Sequence, residues 1–200
     1  MSTMFDALNR AYDKWLPYNK YREVDLLVWN LMRRVLHVDW TQYAIGGSWA
    51  MIAYGIDIHR DPHDIDVIVP MYMLETIEQL IKWCPDPDVK YEEFNGKVET
   101  SKYCRVTLRY KGRAIDILGA METGDPLEPH TFDAIRPSYA ECQVQNLHSI
   151  RYIKSKWMRP KDVEDMALID LFLEKIKEEK PWTPKPVSAP TEKAEIDLPF

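Results

Sequence analysis

An α+β fold, a mixed β-sheet with helices packed against it, is what this 200-residue chain predicts, and three observations carry that reading. Helix-periodic text alternates with short β-rich runs through the first half. A hairpin then stands out in "KYCRVTLRYKGRAIDILGA", where two β-rich runs flank Lys111-Gly112. Helical text and a proline-rich end follow, an order that fits one sheet with helices on it and helices after it. Hydrophobic residues make up 46% of the chain, enough for one sizeable core.

Each element has its own warrant. From about Tyr21, Val24, Leu27, Leu31 and Val35 recur at helical spacing between charges, which predicts an amphipathic helix. The run "QYAIGG" predicts the first strand. A short helix follows, begun near Ser48, a good N-cap residue, and closed by Gly55 in a left-handed conformation. "DIDVIV" reads as a strand that Pro70 stops, and residues 71–83 as a helix that buries Leu74, Ile77, Leu80 and Ile81. Residues 119–137 form a loop-rich connection with a short strand at "TFDAI". A strand at about 138–144 precedes a helix over Leu147 to Met158. Pro160 then sits at the start of a helix running to about residue 179. The last twenty residues carry five prolines and little periodicity, so an extended tail is expected. Residues 1–145 thus form a sheet domain with an N-terminal helix, residues 146–180 a helical segment and residues 181–200 the tail.

Charge and cysteine content narrow the function. With 26 Lys+Arg against 32 Asp+Glu the net charge is −6, which argues against a uniformly basic face that wraps duplex nucleic acid. Cys84, Cys104 and Cys142 are widely spaced and form no metal-binding pair, so buried thiols in a reducing compartment are expected. The start "MSTMFDALNRAYDKW" has no signal-like apolar run, and no segment approaches the ~20 apolar residues of a membrane span. The cytoplasm is the expected location.

The chemistry concentrates in "AIGGSWAMIAYGIDIHRDPHDIDVIVP". Side chains alternate along a strand, so Asp64 and Asp66 share a face roughly 7 Å apart while Ile65, Val67 and Val69 fill the other. Asp116 stands in a similar apolar setting in "RAIDILG". Were its strand to lie beside "DIDVIV", three carboxylates would meet, and oxygen-only ligation suits Mg²⁺ or Mn²⁺. The competing reading is that each aspartate caps a loop or pairs with an arginine. Gly46, Gly47 and Ser48 form the complementary half: glycines let an anion approach the backbone, and Ser48 adds a hydroxyl. Trp49 is expected in the core, and His63 in a loop.

Gly46-Gly47-Ser48, Arg60, Asp64-Ile65-Asp66 and Asp116 together resemble the signature of the DNA polymerase β-like nucleotidyltransferase superfamily. Within it the likeness is to the small lincosamide and aminoglycoside nucleotidyltransferases and to the AbiEii-type toxin branch. It spans residues about 40 to 120 and extends loosely to "KSKWMRPKDVEDMALIDLF", similar to the helices those enzymes place after the palm. The resemblance implies a nucleotidyltransferase palm and transfer of a nucleoside monophosphate from an NTP to a hydroxyl, with pyrophosphate released. Asp64 and Asp66 match the two metal ligands and Asp116 the third carboxylate, ligand or general base, with two Mg²⁺ ions expected and Mn²⁺ an alternative. Backbone donors at Gly47 and Ser48 would hold the β and γ phosphates. Arg60, the candidate phosphate-binding arginine, lies four residues before Asp64, farther than is usual in the small resistance enzymes.

No acidic residue occurs between Glu141 and Asp162, while Arg151, Lys154, Lys156, Arg159 and Lys161 are basic. Two readings of that segment are open: a solvated helix face, or a site in which Lys154 and Lys161 complete the triphosphate pocket. The patch could also meet an RNA acceptor, since phosphate contacts need only local positive charge. The acceptor is therefore a small molecule, a tRNA end or a protein. The alternatives to an active enzyme of that kind are an inactive relative that binds a nucleotide or partner, and a toxin or defence enzyme directed at tRNA. The tip Leu198-Pro199-Phe200 resembles the acidic, Pro-Phe-ended tip of bacterial single-stranded DNA-binding proteins, which implies a protein partner.

Overall fold

The computed structural model describes residues 18–95, 104–120, 134–137 and 140–178, and the tail with its Leu198-Pro199-Phe200 tip lies outside them. The architecture is the mixed sheet with flanking helices that the sequence predicts. Helix α1, Tyr18–Trp29, continues as a π-helical stretch, Asn30–Val35. Strand β1 is only Ala44–Ile45, shorter than "QYAIGG", because the chain turns at Gly46 into helix α2, Gly47–Ala53. Gly46 itself is the residue before that helix, so Ser48 lies in the first turn and is not the N-cap. Gly55 does close it, at φ +80°.

Strand β2, Asp64–Pro70, takes in Pro70 rather than stopping before it, and a 3₁₀ turn, Met71–Met73, leads into helix α3, Leu74–Lys82. Leu74, Ile77 and Ile81 are buried as expected. Leu80 is 41% exposed, since it falls beside the buried stripe and not within it. Strand β3, Val89–Asn95, has no counterpart in the sequence reading. Strands β4, Arg105–Tyr110, and β5, Arg113–Ala120, form the predicted hairpin, and Lys111 and Gly112 both take positive φ, 48° and 80°, the primed turn that matches strand twist. Of the predicted "TFDAI" strand, Ala134–Ile135 is β6; its first three residues are outside the described ones. Strand β7 is Gln143–Gln145, a later and shorter element than the one expected over 138–144. Helices α4, Leu147–Trp157, and α5, Pro160–Glu178, follow, the first capped by the Asn146 side chain accepting from the His148 N–H.

The seven strands among the described residues form one sheet in the order β3-β4-β5-β2-β1-β7-β6. The pairs β2–β5 and β1–β7 are parallel and the others antiparallel. Ile65, Val67 and Val69 of β2, Val106 and Leu108 of β4, and Ile115 and Ile117 of β5 are buried in a cluster with residues of each of the five described helices, which fixes strand register because a one-residue slip would expose them all. The alternate residues of the same strands face the other way. That face carries Asp64, Asp66, Asp116 and Thr107.

Asp25 of α1 ties the far side of the sheet down. Its buried carboxylate accepts from the backbone N–H of Glu141 and of Cys142, each at 2.9 Å, and Cys142 Sγ donates to its carbonyl. Burial pushes the Asp25 carboxyl up, and those two N–H groups offset part of the rise. The three cysteines are free thiols; Cys104 and Cys142 are buried as expected, while Cys84 is only half-buried. Among the described residues no helix is long and apolar enough to cross a membrane.

Candidate active site

Strand pairing builds the site. In the parallel β2–β5 register Asp66 is directly opposite Asp116, and Asp64, two residues back on the same face, completes the group. Ligand oxygens of Asp64, Asp66 and Asp116 all lie within 4.8 Å of one another. The structure thus brings together the three carboxylates that the sequence singled out, from strands that are neighbours in space but not in sequence.

Three acids this close repel. Burial first, then the charge of Asp64, then that of Asp116 push the Asp66 carboxyl up to about 7. Lys154 and Lys161 pull the other way without cancelling the rise. An all-oxygen donor set under that strain suits a hard divalent cation, which would relieve it.

Gly47 meets this cluster at contact distance. It holds φ +56°, and a Cβ there would lie 2.0 Å from Asp66 Oδ2, so any side chain would collide with the carboxylate. Gly46 lies at the same turn, and its N–H is spent on the Asp66 carbonyl at 2.8 Å. A Cβ on Gly46 would come within 2.8 Å of Ile68 and 2.9 Å of Gln145 Oε1. Ser48 Oγ accepts from Arg60 Nη2 at 3.2 Å. The N–H groups of Gly47 and Ser48, in the first turn of α2, have no carbonyl partner within that helix. Trp49 is buried as expected, and its indole N–H donates to the Asp64 carbonyl at 3.0 Å, bracing the start of β2. His63 is exposed on the loop before β2.

The basic residues divide into two groups. Arg60 makes a two-pronged pair with Asp165 of α5, at 2.7 and 2.6 Å. Lys154 of α4 is buried, 2.6 Å from Asp165 and 3.6 Å from Asp162. Burial alone would raise Asp165, but the hydrogen bonds from Arg60 and Lys154 hold its carboxyl below the usual range. Asp162 is likewise lowered against its burial, by Arg159 and then Lys154. Arg60, Lys154, Asp162 and Asp165 are therefore one ionic strut fastening α4 and α5 to the loop before β2. Lys161 is exposed, yet near enough to act on Asp66. Arg159 pairs with Asp162 at 2.6 Å and lies within electrostatic reach of Asp66 and Asp64. Arg151 is paired instead with Asp170 at 2.5 Å.

Sequence reasoning missed Asp162 and Asp165, the acids at the heart of that strut, and the β4 pair that flanks Asp116. Thr107 Oγ1 donates to Asp116 Oδ1 at 2.8 Å, and Arg105 Nη1 lies 3.4 Å from Oδ2. The signal was in the alternation of "RVTLRY", which puts Arg105, Thr107 and Arg109 on one face. What it lacked was the register that sets Thr107 opposite Asp116.

No protein-family model matches the chain, and no curated protein matches it. Solved structures do. The crystal structure of ANT(2″)-Ia in complex with adenylyl-2″-tobramycin is similar over 80% of this chain and 93% of its own, at 16% identity and a TM-score of 0.50. The solution structure of the antibiotic-resistance factor ANT(2″)-Ia is similar over 81% of this chain and 89% of its own, at 15% identity and a TM-score of 0.49. A candidate nucleotidyltransferase from Thermotoga maritima aligns over 77% of this chain and 95% of its own, at 19% identity and a TM-score of 0.43. At these identities the likeness is one of fold: the chain has the fold of the nucleotidyltransferases.

Proposed function

We propose that the chain is a divalent-metal-dependent nucleotidyltransferase that moves a nucleoside monophosphate from an NTP to an acceptor hydroxyl and releases pyrophosphate. The observation that carries the reading is the convergence of Asp64, Asp66 and Asp116 against the Gly46-Gly47 turn. In the transfer a bond forms between the acceptor oxygen and the α-phosphorus, and the bond to the β-phosphate oxygen breaks. Asp116, farthest along the row from the glycine turn, takes the hydroxyl proton. Gly47 and Ser48 offer backbone N–H groups to the β and γ phosphates, and Lys161 adds charge to the leaving pyrophosphate. Arg60 and Lys154 act indirectly, by holding α4 and α5 so that Lys161 and Arg159 border the acidic pocket. Mg²⁺ or Mn²⁺ held by the three aspartates would supply Lewis acidity at the phosphates and lower the pKa of the attacking hydroxyl.

The acceptor is a hydroxyl on a small molecule, on RNA or on a protein. The fold neighbour that carries adenylyl-2″-tobramycin holds a molecule of the class this reaction would make, which supports a small-molecule alcohol first. The experiment is incubation of the protein with each labelled NTP, Mg²⁺ and a cell extract separated into small-molecule, RNA and protein fractions. Label should enter one fraction, with pyrophosphate released in equal amount, and Asp66→Asn should abolish it. Pyrophosphate with no labelled product, or label that persists in Asp66→Asn, would refute the reading.

A further inference from the structure

We propose that Arg105 is a built-in counter-ion of the acidic pocket, holding the Asp116 oxygen that a divalent cation needs and yielding it when the cation binds. The inference rests on the nucleotidyltransferase reading of the site and goes beyond it by assigning a control over cation affinity.

Asp116 is gripped from β4 by two residues on one strand face. Thr107, its direct cross-strand neighbour, donates to Oδ1 at 2.8 Å, which fixes the rotation of the carboxylate. Oδ2 then faces the Arg105 guanidinium at 3.4 Å. That is long for a charge-assisted bond, which settles at about 2.7–2.9 Å. By contrast Arg60 sits at 2.6 Å from buried Asp165, so the two arginines are held quite differently. The Arg105 side chain is 43% exposed and Asp116 only 16%, so the arginine can swing into water while the carboxylate stays. With Oδ1 accepting from Thr107, Oδ2 is the oxygen left to offer a cation, which would compete there with the guanidinium. A half-exposed ion pair of this kind is worth roughly a factor of five in an equilibrium. Arg105 therefore lowers cation affinity by about that factor and balances the acidic group while no cation is bound. Arg109, next on the same face, serves as the internal comparison, because it is engaged with Glu92 at 2.7 Å and makes no contact with Asp116.

The test is Mn²⁺ binding by calorimetry on the full chain, with no nucleotide present, for the unmodified protein, Arg105→Met, Arg105→Gln, Arg105→Lys and Arg109→Met. Folding is checked by circular dichroism and melting temperature. Arg105→Met and Arg105→Gln should bind Mn²⁺ about three- to tenfold more tightly, Arg105→Lys should fall between them and the parent, and Arg109→Met should stay within about twofold. Thr107→Val should weaken binding and Thr107→Ser restore it. Unchanged or weaker binding in both neutral Arg105 variants overturns the proposal, as does failure of both to fold, which would make Arg105 structural. If the unmodified protein binds no Mn²⁺, or Asp66→Asn binds it equally well, the metal reading falls and this one with it. Binding that Asp66→Asn abolishes but Arg105 does not modulate refutes only the role of Arg105.

Discussion

Asp66 of β2 and Asp116 of β5 are direct partners in the parallel register, so two carboxylates from distant parts of the sequence occupy one row of one sheet face. The row continues outward to Thr107, which binds Asp116, and inward to the glycine turn, where Gly47 leaves room for Asp66 alone. No residue of this row is free to change without touching its neighbour. The alternate residues, Ile65, Val67, Ile115 and Ile117, are fully buried on the opposite face, so the core holds this row in position.

The first consequence concerns pH. Burial and the two neighbouring acids raise Asp66 from 3.8 to about 7, so between about pH 4 and 7 the metal-free folded state binds more protons at this group than the unfolded chain. The penalty is absent below about pH 4 and fully present above about pH 7. Through this group the metal-free protein gains stability on acidification across that window, and a cation, which needs the ionised carboxylate, stabilises most at the alkaline end. Melting curves with and without Mn²⁺ at pH 8 and pH 5.5 check this: the Mn²⁺-induced rise in Tm should be clearly larger at pH 8. Asp66→Asn should melt higher than the parent in metal-free buffer at pH 8 and lose the response to Mn²⁺.

Two glycines in the left-handed region make opposite predictions. At Gly112 nothing lies within 4 Å of the place a methyl group would take, so Gly112→Ala costs backbone strain only, about 1 kcal/mol. At Gly47 the same substitution adds a collision 2.0 Å from Asp66 Oδ2, and it should cost at least about 2 kcal/mol while abolishing Mn²⁺ binding. Urea unfolding and calorimetry on the two variants separate the effects. Normal cation binding in Gly47→Ala would show that the carboxylate does not need the space beside the glycine.

The ionic strut predicts stability loss out of proportion to a surface pair. Asp165 is fully buried and accepts from both Arg60 and Lys154, so Asp165→Asn leaves two cations short of a partner. Removing one member of such a buried set typically costs about 3–5 kcal/mol. Disrupting the half-exposed Arg151–Asp170 pair with Asp170→Asn should cost no more than about 1 kcal/mol. Denaturant melts of both variants decide between a structural strut and an incidental cluster.

Much of this was legible because it is local. The Lys111-Gly112 turn, the proline-started helix and the same-face spacing of Asp64 and Asp66 all depend on neighbours in sequence. Strand β3 was not legible: "VKYEEFN" is polar on both faces because it is the sheet edge, and it is bulged between Tyr91 and Glu93. Asp162 and Asp165 carry no local mark that sets them apart from other acids of a helix. Only the long-range approach of Arg60 and Lys154 makes their burial tolerable, and no spacing within α5 records that. The same holds for Arg105 and Thr107, whose role exists only in the β4–β5 register. The basic run from Arg151 to Lys161 looked uniform, and the structure sorts it into a buried strut member, Lys154, a residue paired with Asp170, Arg151, and two whose charge reaches Asp66, Arg159 and Lys161.

That sorting yields the last prediction. Lys161 is exposed and none of the described ion pairs involves it, while its charge reaches Asp66, so its removal should leave the fold intact and act on the ligand. Lys161→Ala should melt within about 0.5 kcal/mol of the parent, as surface substitutions do. Its apparent affinity for NTP should fall about two- to fivefold, the worth of one partly screened phosphate contact, and the loss should shrink as salt is raised. Lys154→Met should do the reverse, destabilising the protein strongly because it empties a buried ionic position. Nucleotide titrations at two salt concentrations beside thermal melts distinguish these outcomes. An unchanged NTP affinity in Lys161→Ala would remove this lysine from the phosphate site and leave Arg159 as the basic residue to test there.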